Sequence, residues 1–382
     1  MLLLKNADLY APEHIGLRDI LIEGEKIARI EPDLSRFEPL ADAVGDLGGS
    51  KTAPGYIDAH VHITGGGGEQ GPASRCPECP LTALTVNGVT SVLGLLGTDG
   101  TSRSLENLLY KTRALNEEGV TAWMLTGSYQ YPSPTLTGSV LRDIGLIDRA
   151  VGCKLALSDH RSSNVTTREL IRLASDVRLG GMLSGKAGVL TIHMGSGKRR
   201  LQPLLEAVEE TDIPVTTFWP THMRRTPELL EDGIRFIGMG GTIDLTATDH
   251  PVTGVAAALA RLLERGVDIS HVTMSSDAFG SQPRFDESGR CVGLTYVSPA
   301  VLHRELRCMV RELGIPLEQA LLPLTLNPAR MLKQEGVKGC VRPGADADLI
   351  VYDSELRISS VYARGTLAVR DGRPVLKGRF EA

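Results

Sequence analysis

Between about Thr52 and Leu332, short apolar runs alternate with stretches whose apolar residues recur at helical spacing. A chain patterned this way builds repeated βα units around a parallel sheet. Eight runs read as strands: Tyr56–His62, Val89–Leu96, Thr121–Thr126, Cys153–Ser158, Val189–Met194, Val215–Thr221, Thr242–Thr246 and Val272–Ser276. Between them, segments such as Leu105-Glu-Asn-Leu-Leu-Tyr-Lys-Thr-Arg-Ala-Leu and Val255-Ala-Ala-Ala-Leu-Ala-Arg-Leu-Leu carry the 3.6-residue period of helices packed on one face. Eight parallel strands favour closure, so the expected fold class is α/β, a (β/α)8 TIM-like barrel over residues 53–334. Both chain ends read differently. Asp19-Ile-Leu-Ile and Lys26-Ile-Ala-Arg-Ile flank the tight turn Glu23-Gly-Glu-Lys, while Asp348-Leu-Ile-Val-Tyr, Ser360-Val-Tyr-Ala-Arg and Thr366-Leu-Ala-Val-Arg alternate with turns that include Asp371-Gly372. Residues 1–52 plus 335–382 are therefore expected to form a small composite β-sandwich, and 382 residues suffice for both parts.

A barrel of this type carries its chemistry at the C-terminal ends of its strands. Those ends hold His60 and His62, Thr98 just past the second strand, Tyr129 past the third, Lys154 on the fourth, then His193, His222 and Asp277. His60 and His62 are two apart on a strand, so both imidazoles point to one face about 6.6 Å apart along it and can reach one ion. Alone, His-x-His also reads as two polar loop residues. Four of nine histidines and an aspartate at the ends of separate strands favour a site of neutral imidazoles and carboxylate, which suits zinc. His14, His160, His250, His271 and His303 fall outside this set; His160, next to Arg161, reads as a ligand or as a group that holds one in place. Cys76-Pro-Glu-Cys79 has the spacing of half a zinc site without a second half, and reads as structural. Gly195-Ser-Gly-Lys198 follows a strand but lacks the earlier glycine and the Ser or Thr after lysine that a phosphate loop needs, with Ile192 and Arg199 in those places.

Composition removes several classes. Forty-one basic against forty-six acidic residues give a net charge of −5 with no basic run, so no nucleic-acid partner is expected. The apolar run Leu2 to Leu4 is broken at Lys5, too short for a signal segment, and no stretch reaches membrane-spanning length. The six cysteines read as free thiols, and with no export signal the expected location is a reducing cytoplasm.

The strand-end set, His-x-His, then Lys, His, His and Asp, resembles the binuclear amidohydrolases, and Pro343-Gly-Ala-Asp-Ala-Asp-Leu-Ile-Val resembles their C-terminal β-sandwich motif. Local text narrows this. Gly65-Gly-Gly-Gly-Glu69, Leu95-Leu-Gly-Thr98-Asp, Trp123-Met-Leu-Thr-Gly-Ser-Tyr129, Ser158-Asp-His-Arg161, Pro220-Thr-His222-Met-Arg-Arg225 and Ser275-Ser-Asp277-Ala-Phe-Gly-Ser281-Gln-Pro resemble the isoaspartyl dipeptidases over essentially the whole chain. Ala278-Phe279, Cys76 and Cys79 depart from that family's usual text without touching a proposed ligand.

The resemblance implies two zinc ions per subunit. His60 and His62 would hold the first, His193 and His222 the second, Asp277 would sit beside the first, and Lys154, as an N6-carboxylated carbamate, would bridge them. It implies attack of a metal-bridging hydroxide on the β-aspartyl isopeptide bond, Asp277 acting as general base and then acid and Tyr129 stabilising the oxyanion. A β-aspartyl dipeptide carries one ammonium and two carboxylates. Glu69, Arg161 and Arg225 supply matching charges, arginine by a fork that binds carboxylates bidentately, while Ser281, Thr98 and Gly67 would lie near the substrate. Alternative readings are a packing role for Tyr129, a solvated Glu69, arginines paired with barrel carboxylates, and an exchange of roles between Arg224 and Arg225. The resemblance also implies a homo-oligomer, with an octamer as one candidate size. A cyclic-amide hydrolase of dihydroorotase or hydantoinase type, and a metal-free scaffold or binding protein, are the competing functions. Glu69 discriminates the former, because a hydantoin needs no partner for an ammonium.

Overall fold

A computed structural model describes residues 1–248, 254–285 and 291–381, the side chains of 283–285 and 291 excepted; His250 and the Cys291 thiol lie outside the described residues. Six strands, β1 (Tyr56–Val61), β2 (Val89–Gly94), β3 (Thr121–Gly127), β4 (Ala150–Leu157), β5 (Val189–Met194) and β6 (Phe218–Thr221), form one parallel sheet in sequential order. Two more, β7 (Ile243–Thr246) and β8 (Val272–Ser275), pair in parallel. Backbone bonds link the two groups at both margins. Met223 N–H donates to the Asp244 carbonyl at 3.2 Å, and His62 N–H donates to the Ala278 carbonyl at 2.9 Å beside a parallel bridge between Val61 and Ala278. The parallel strands thus curl as in a TIM-like barrel, within a mixed α/β fold.

Every residue of β1 to β5 is buried. Strands covered on both faces need no polar alternation, which is why they read in the sequence as continuous apolar runs. Several boundaries differ from expectation, two strand starts the most. The fourth strand begins at Ala150 rather than Cys153, and Val215–Thr217 is a 3-10 turn, closed by Thr217 N–H on the Pro214 carbonyl at 2.8 Å, so β6 starts only at Phe218. Helix starts follow local chemistry: Ser104 Oγ accepts from Asn107 N–H before Leu105–Glu118, and Thr166 with Glu169 forms a capping box before Thr167–Ser184.

Strands from both chain ends share one sheet of nine. Leu2–Tyr10 pairs with His14–Glu23, which pairs in turn with Lys26–Glu31; on the other side, Lys51–Pro54 joins Leu349–Tyr352 antiparallel, followed by Ile358–Ala363 and Thr366–Arg370. Ala53, Tyr352, Val361 and Ala363 belong to the same apolar core as the barrel strands and helices, whereas Leu4, Leu9, Ile20, Ile27, Val341 and Leu349 close a second core. The end-formed sheet is thereby fastened to the barrel by burial as well as by chain connection. None of the helices among the described residues is long and apolar enough to cross a membrane.

Candidate metal and substrate site

At the C-terminal rim of the barrel, the end of β1 presents His60 and His62, and the turn after β8 presents Asp277. Asp277 Oδ1 lies 3.3 Å from His60 Nε2 and 3.1 Å from His62 Nε2. One ligand atom from each of the three falls within 4.8 Å of the others, which suits a single cation bound at about 2.0–2.2 Å. Lys154 Nζ, from β4, is 3.2 Å from His60 Nε2. The His222 ring stands 5.1 Å from that of His60 and 4.5 Å from that of His193, centre to centre, so all six strand-end residues converge. His222 Nδ1 is held by Thr246 Oγ1 at 2.6 Å, leaving its buried Nε2 without a partner; His60 Nδ1 and His62 Nδ1 are also buried and unpartnered. Buried ring nitrogens left unbonded are costly, and two of these belong to the imidazoles whose Nε2 atoms meet the Asp277 carboxylate. That donor set fits divalent cations. His222 and Asp277 both adopt left-handed backbone, φ 64° and 56°, which is uncommon for non-glycine residues and recurs where a site demands it.

The protonation states agree. Burial keeps His60 and His222 well below the usual imidazole range and pushes His193 down to about 3, so the rings are neutral. Burial pushes the Lys154 amine down to about 7. Burial would raise the Asp277 carboxyl, but His60 and His62 hold it well below the ordinary carboxylate range. Neutral rings and an ionised carboxylate are the forms in which these groups bind cations.

Beside this cluster, Glu69 Oε1 accepts from Thr98 Oγ1 at 3.2 Å and Arg161 Nη1 at 3.4 Å, and Oε2 accepts from Ser281 Oγ at 3.0 Å. Four of the residues expected near a substrate therefore meet around one carboxylate. Tyr129, buried, approaches His193 Nδ1 with its hydroxyl at 2.5 Å, and burial raises its phenol so that it stays a donor. Arg225 Nη1 stands 4.0 Å from Asp159. Gly67 (φ 84°) lies in a fastened loop in which a Cβ would meet the Ser74 carbonyl at 2.4 Å; Gly66 N–H donates to the Phe279 carbonyl and Cys76 N–H to the Gly66 carbonyl. The glycine run thus permits close backbone packing.

Other expectations fare differently. Arg161 does not offer a free fork, because Nε and Nη2 both donate to Asp159 at 2.9 Å, leaving Nη1 toward the pocket. Arg224 Nε donates to the Thr246 carbonyl at 2.9 Å. The His160 side chain is 88% exposed, with Nδ1 3.5 Å from Asp159 Oδ1. His14 and His303 bond elsewhere, to Asp8 and Tyr56, and His271 faces Thr242. Cys76 and Cys79 are buried free thiols, as are Cys153, Cys308 and Cys340.

Around the strand-end cluster, three buried carboxylates among the described residues went unassigned in the sequence. Asp58, two residues before His60, accepts from Ser276 N–H at 3.0 Å and Ser276 Oγ at 2.5 Å, tying β1 to the segment bearing Asp277; burial pushes it up to about 7. Asp244 accepts from Thr221, Thr273 and Ser275 and ties β6, β7 and β8 together. Asp159 receives His193 and Arg161. Its position just past a barrel strand, two residues before a singled-out arginine, was the available signal.

Residues 192–374 match the model of the Amidohydrolase family. The crystal structure of beta-aspartyl dipeptidase from Fervidobacterium islandicum AW-1, solved in complex with beta-Asp-Leu dipeptide, superposes with a TM-score of 0.90 at 43% identity over 98% of each chain. D-hydantoinase from Thermus sp. shares the fold at a TM-score of 0.69, 18% identity, and coverage of 100% of this chain and 98% of its own. The putative N-acetylgalactosamine-6-phosphate deacetylase of Escherichia coli K12 is 36% identical over 63 residues, which is 16% of this chain and only 38% of that protein's length. The near-complete alignment at 43% identity places the chain in the beta-aspartyl dipeptidase family of the amidohydrolase superfamily.

Proposed function

We propose that this protein hydrolyses the isopeptide bond of β-aspartyl dipeptides at a pair of zinc ions. His60 and His62 would hold one ion and His193 and His222 the other, with Asp277 beside the first and Lys154, carboxylated on its amine, between them. An amine must be neutral to react with carbon dioxide, and burial of Lys154 supplies that form near neutral pH. Bound cations would supply an acidified water and polarise the scissile carbonyl.

The remaining work falls to side chains. Asp277 takes the proton of the attacking water on its carboxylate and delivers it to the departing amine. Tyr129, whose hydroxyl shares His193 Nδ1, is released to donate to the developing oxyanion once that nitrogen is engaged elsewhere. Glu69 receives the substrate ammonium, Arg225 and the Nη1 edge of Arg161 receive carboxylate, and Ser281 and Thr98 orient Glu69. Gly67 leaves backbone within reach of the ligand. The observation that carries this reading is the convergence of Glu69, Thr98, Ser281 and Arg161 beside the cluster of His60, His62 and Asp277.

We further infer a closed barrel over 53–334, a distinct β-sandwich domain from 1–52 plus 335–382, a homo-oligomeric enzyme and a cytoplasmic location. The functional test compares β-Asp-Leu, α-Asp-Leu and dihydroorotate as substrates of zinc-loaded protein, with metal content measured on the same sample. Selective cleavage of β-Asp-Leu with two zincs per chain is expected. Activity on dihydroorotate alone would overturn the substrate assignment, and no bound metal with no hydrolysis would favour the scaffold.

A further inference from the structure

We propose that Asp159 is a positioning residue that fixes the metal-binding face of His193 and the substrate-facing edge of Arg161 through one carboxylate, an inference that rests on the functional reading above. Its side chain is 4% exposed and fully engaged. Oδ2 accepts from His193 Nε2 at 3.0 Å and Arg161 Nη2 at 2.9 Å; Oδ1 accepts from Arg161 Nε and from the Arg161 backbone N–H, both at 2.9 Å. A carboxylate on Nε2 requires the proton there, which leaves Nδ1 as the lone-pair atom of His193 and directs it into the site. The same carboxylate occupies two of the guanidinium's donor positions, so Arg161 can turn only its Nη1 edge toward Glu69 and Thr98. Metal ligand and substrate cation are thereby set by one group.

The backbone around Asp159 is built to hold it. Ser158, at φ 51°, turns the chain so that Asp159 points inward while His160 is left outside. Behind it runs the glycine loop Gly195-Ser-Gly197, which has no phosphate-binding pattern. A Cβ on Gly195 would lie 2.5 Å from Asp159 Cα, and one on Gly197 would lie 2.5 Å from the Ser158 carbonyl oxygen. Gly197 N–H donates to that same oxygen at 2.6 Å, and Ser158 Oγ donates to the Arg200 carbonyl at 2.7 Å. The glycines let the loop after β5 press directly against the turn after β4, and their role is the placement of Asp159.

The test measures zinc retention against a competing chelator, steady-state kinetics on β-Asp-Leu and thermal unfolding, for wild type, Asp159→Asn, Asp159→Glu and Gly195→Ala. Removing a carboxylate partner from a metal-bound histidine weakens the metal about 10- to 100-fold. Asp159→Asn is expected to show that loss at one of two zincs together with a rise in KM of about tenfold or more from the freed Arg161. Asp159→Glu recovers part of both. Gly195→Ala, which displaces Asp159 without altering its chemistry, shifts both measurements in the same direction. A lowered unfolding temperature with zinc retention and KM each within twofold of wild type would reduce Asp159 to a structural residue and overturn the proposal, as would a change in only one of the two. If zinc-loaded wild type fails to cleave β-Asp-Leu, the substrate reading falls by itself, and zinc retention in Asp159→Asn still decides the His193 half.

Discussion

Two lysines are buried among the described residues, one at the barrel rim and one where the end-formed sheet meets the barrel, and they are treated in opposite ways. Lys338, 2% exposed, donates to Thr121 Oγ1 at 2.7 Å and Asp348 Oδ2 at 2.6 Å, with Asp346 Oδ2 at 2.7 Å. Its charge is neutralised and its donors are used. Lys154, fully buried, faces a histidine nitrogen at 3.2 Å and no carboxylate within bonding reach among the described residues. An ammonium left so would carry a heavy desolvation penalty, so the amine drifts toward its neutral form, down to about 7. Lys338 thus fastens two carboxylates, whereas Lys154 stands without one beside histidines that each keep an unbonded ring nitrogen, His60 and His222.

The sharpest break in this comparison is Lys154→Met. With no bridging group available, hydrolysis of β-Asp-Leu is expected to fall by about 10³-fold or more, with fewer than two zincs retained per chain, while metal-free protein unfolds at the same or a higher denaturant midpoint. Kinetics, elemental analysis and urea titration read the three effects; a variant that keeps its activity would remove Lys154 from the chemistry. The matching change, Lys338→Met, should do the reverse. Stranding the buried Asp348, with Asp346 left to Lys26 alone, costs about 3–5 kcal/mol of stability by urea unfolding, with kcat of the folded protein unchanged within about twofold. Loss of kcat without loss of stability would mean that the two lysines do not divide the labour this way.

A smaller effect is expected at Glu69, which belongs to the rim but not to the metal cluster. Glu69→Gln keeps the shape and most hydrogen bonds to Thr98, Ser281 and Arg161 but loses the charge for a substrate ammonium. KM for β-Asp-Leu should rise about 10- to 100-fold with zinc content unchanged, the worth of one charge-assisted contact. If dihydroorotate is the true substrate the change is nearly silent, and a fall in zinc content would place Glu69 among the groups that hold the metals.

The strand-end cluster was legible in the sequence because a parallel barrel gathers strand ends, so His60, His62, Lys154, His193, His222 and Asp277 could be brought together by position, while the roles expected of them came from the family resemblance. What escaped were the carboxylates beneath them. Asp159 was overlooked beside His160, since the sequence cannot tell which of two adjacent residues turns inward; a left-handed Ser158 decides it. Asp58 and Asp244 looked like ordinary strand residues, and their partners Ser276, Thr221 and Ser275 come from other strands. At the chain ends the strands were visible but their order was not, because Lys51–Pro54 pairs with Leu349–Tyr352, almost three hundred residues away.

The smallest effect is a pH dependence that isolates the charge on Lys154. In the unfolded chain its amine returns to the ordinary value of 10.5, while in the folded, metal-free protein it titrates near 7. Between these values the unfolded state holds a proton that the folded state does not, so stability rises with pH across that window and flattens above and below it. Wild type without metal and without added bicarbonate should therefore gain up to about 1 kcal/mol per pH unit, relative to Lys154→Met, between pH 7 and pH 9. Subtracting the variant cancels every other titrating group that the substitution leaves in place. Parallel stability profiles would mean that Lys154 stays an ammonium when buried, and the distinction between a lysine paired with carboxylates and one without them would lose its physical basis.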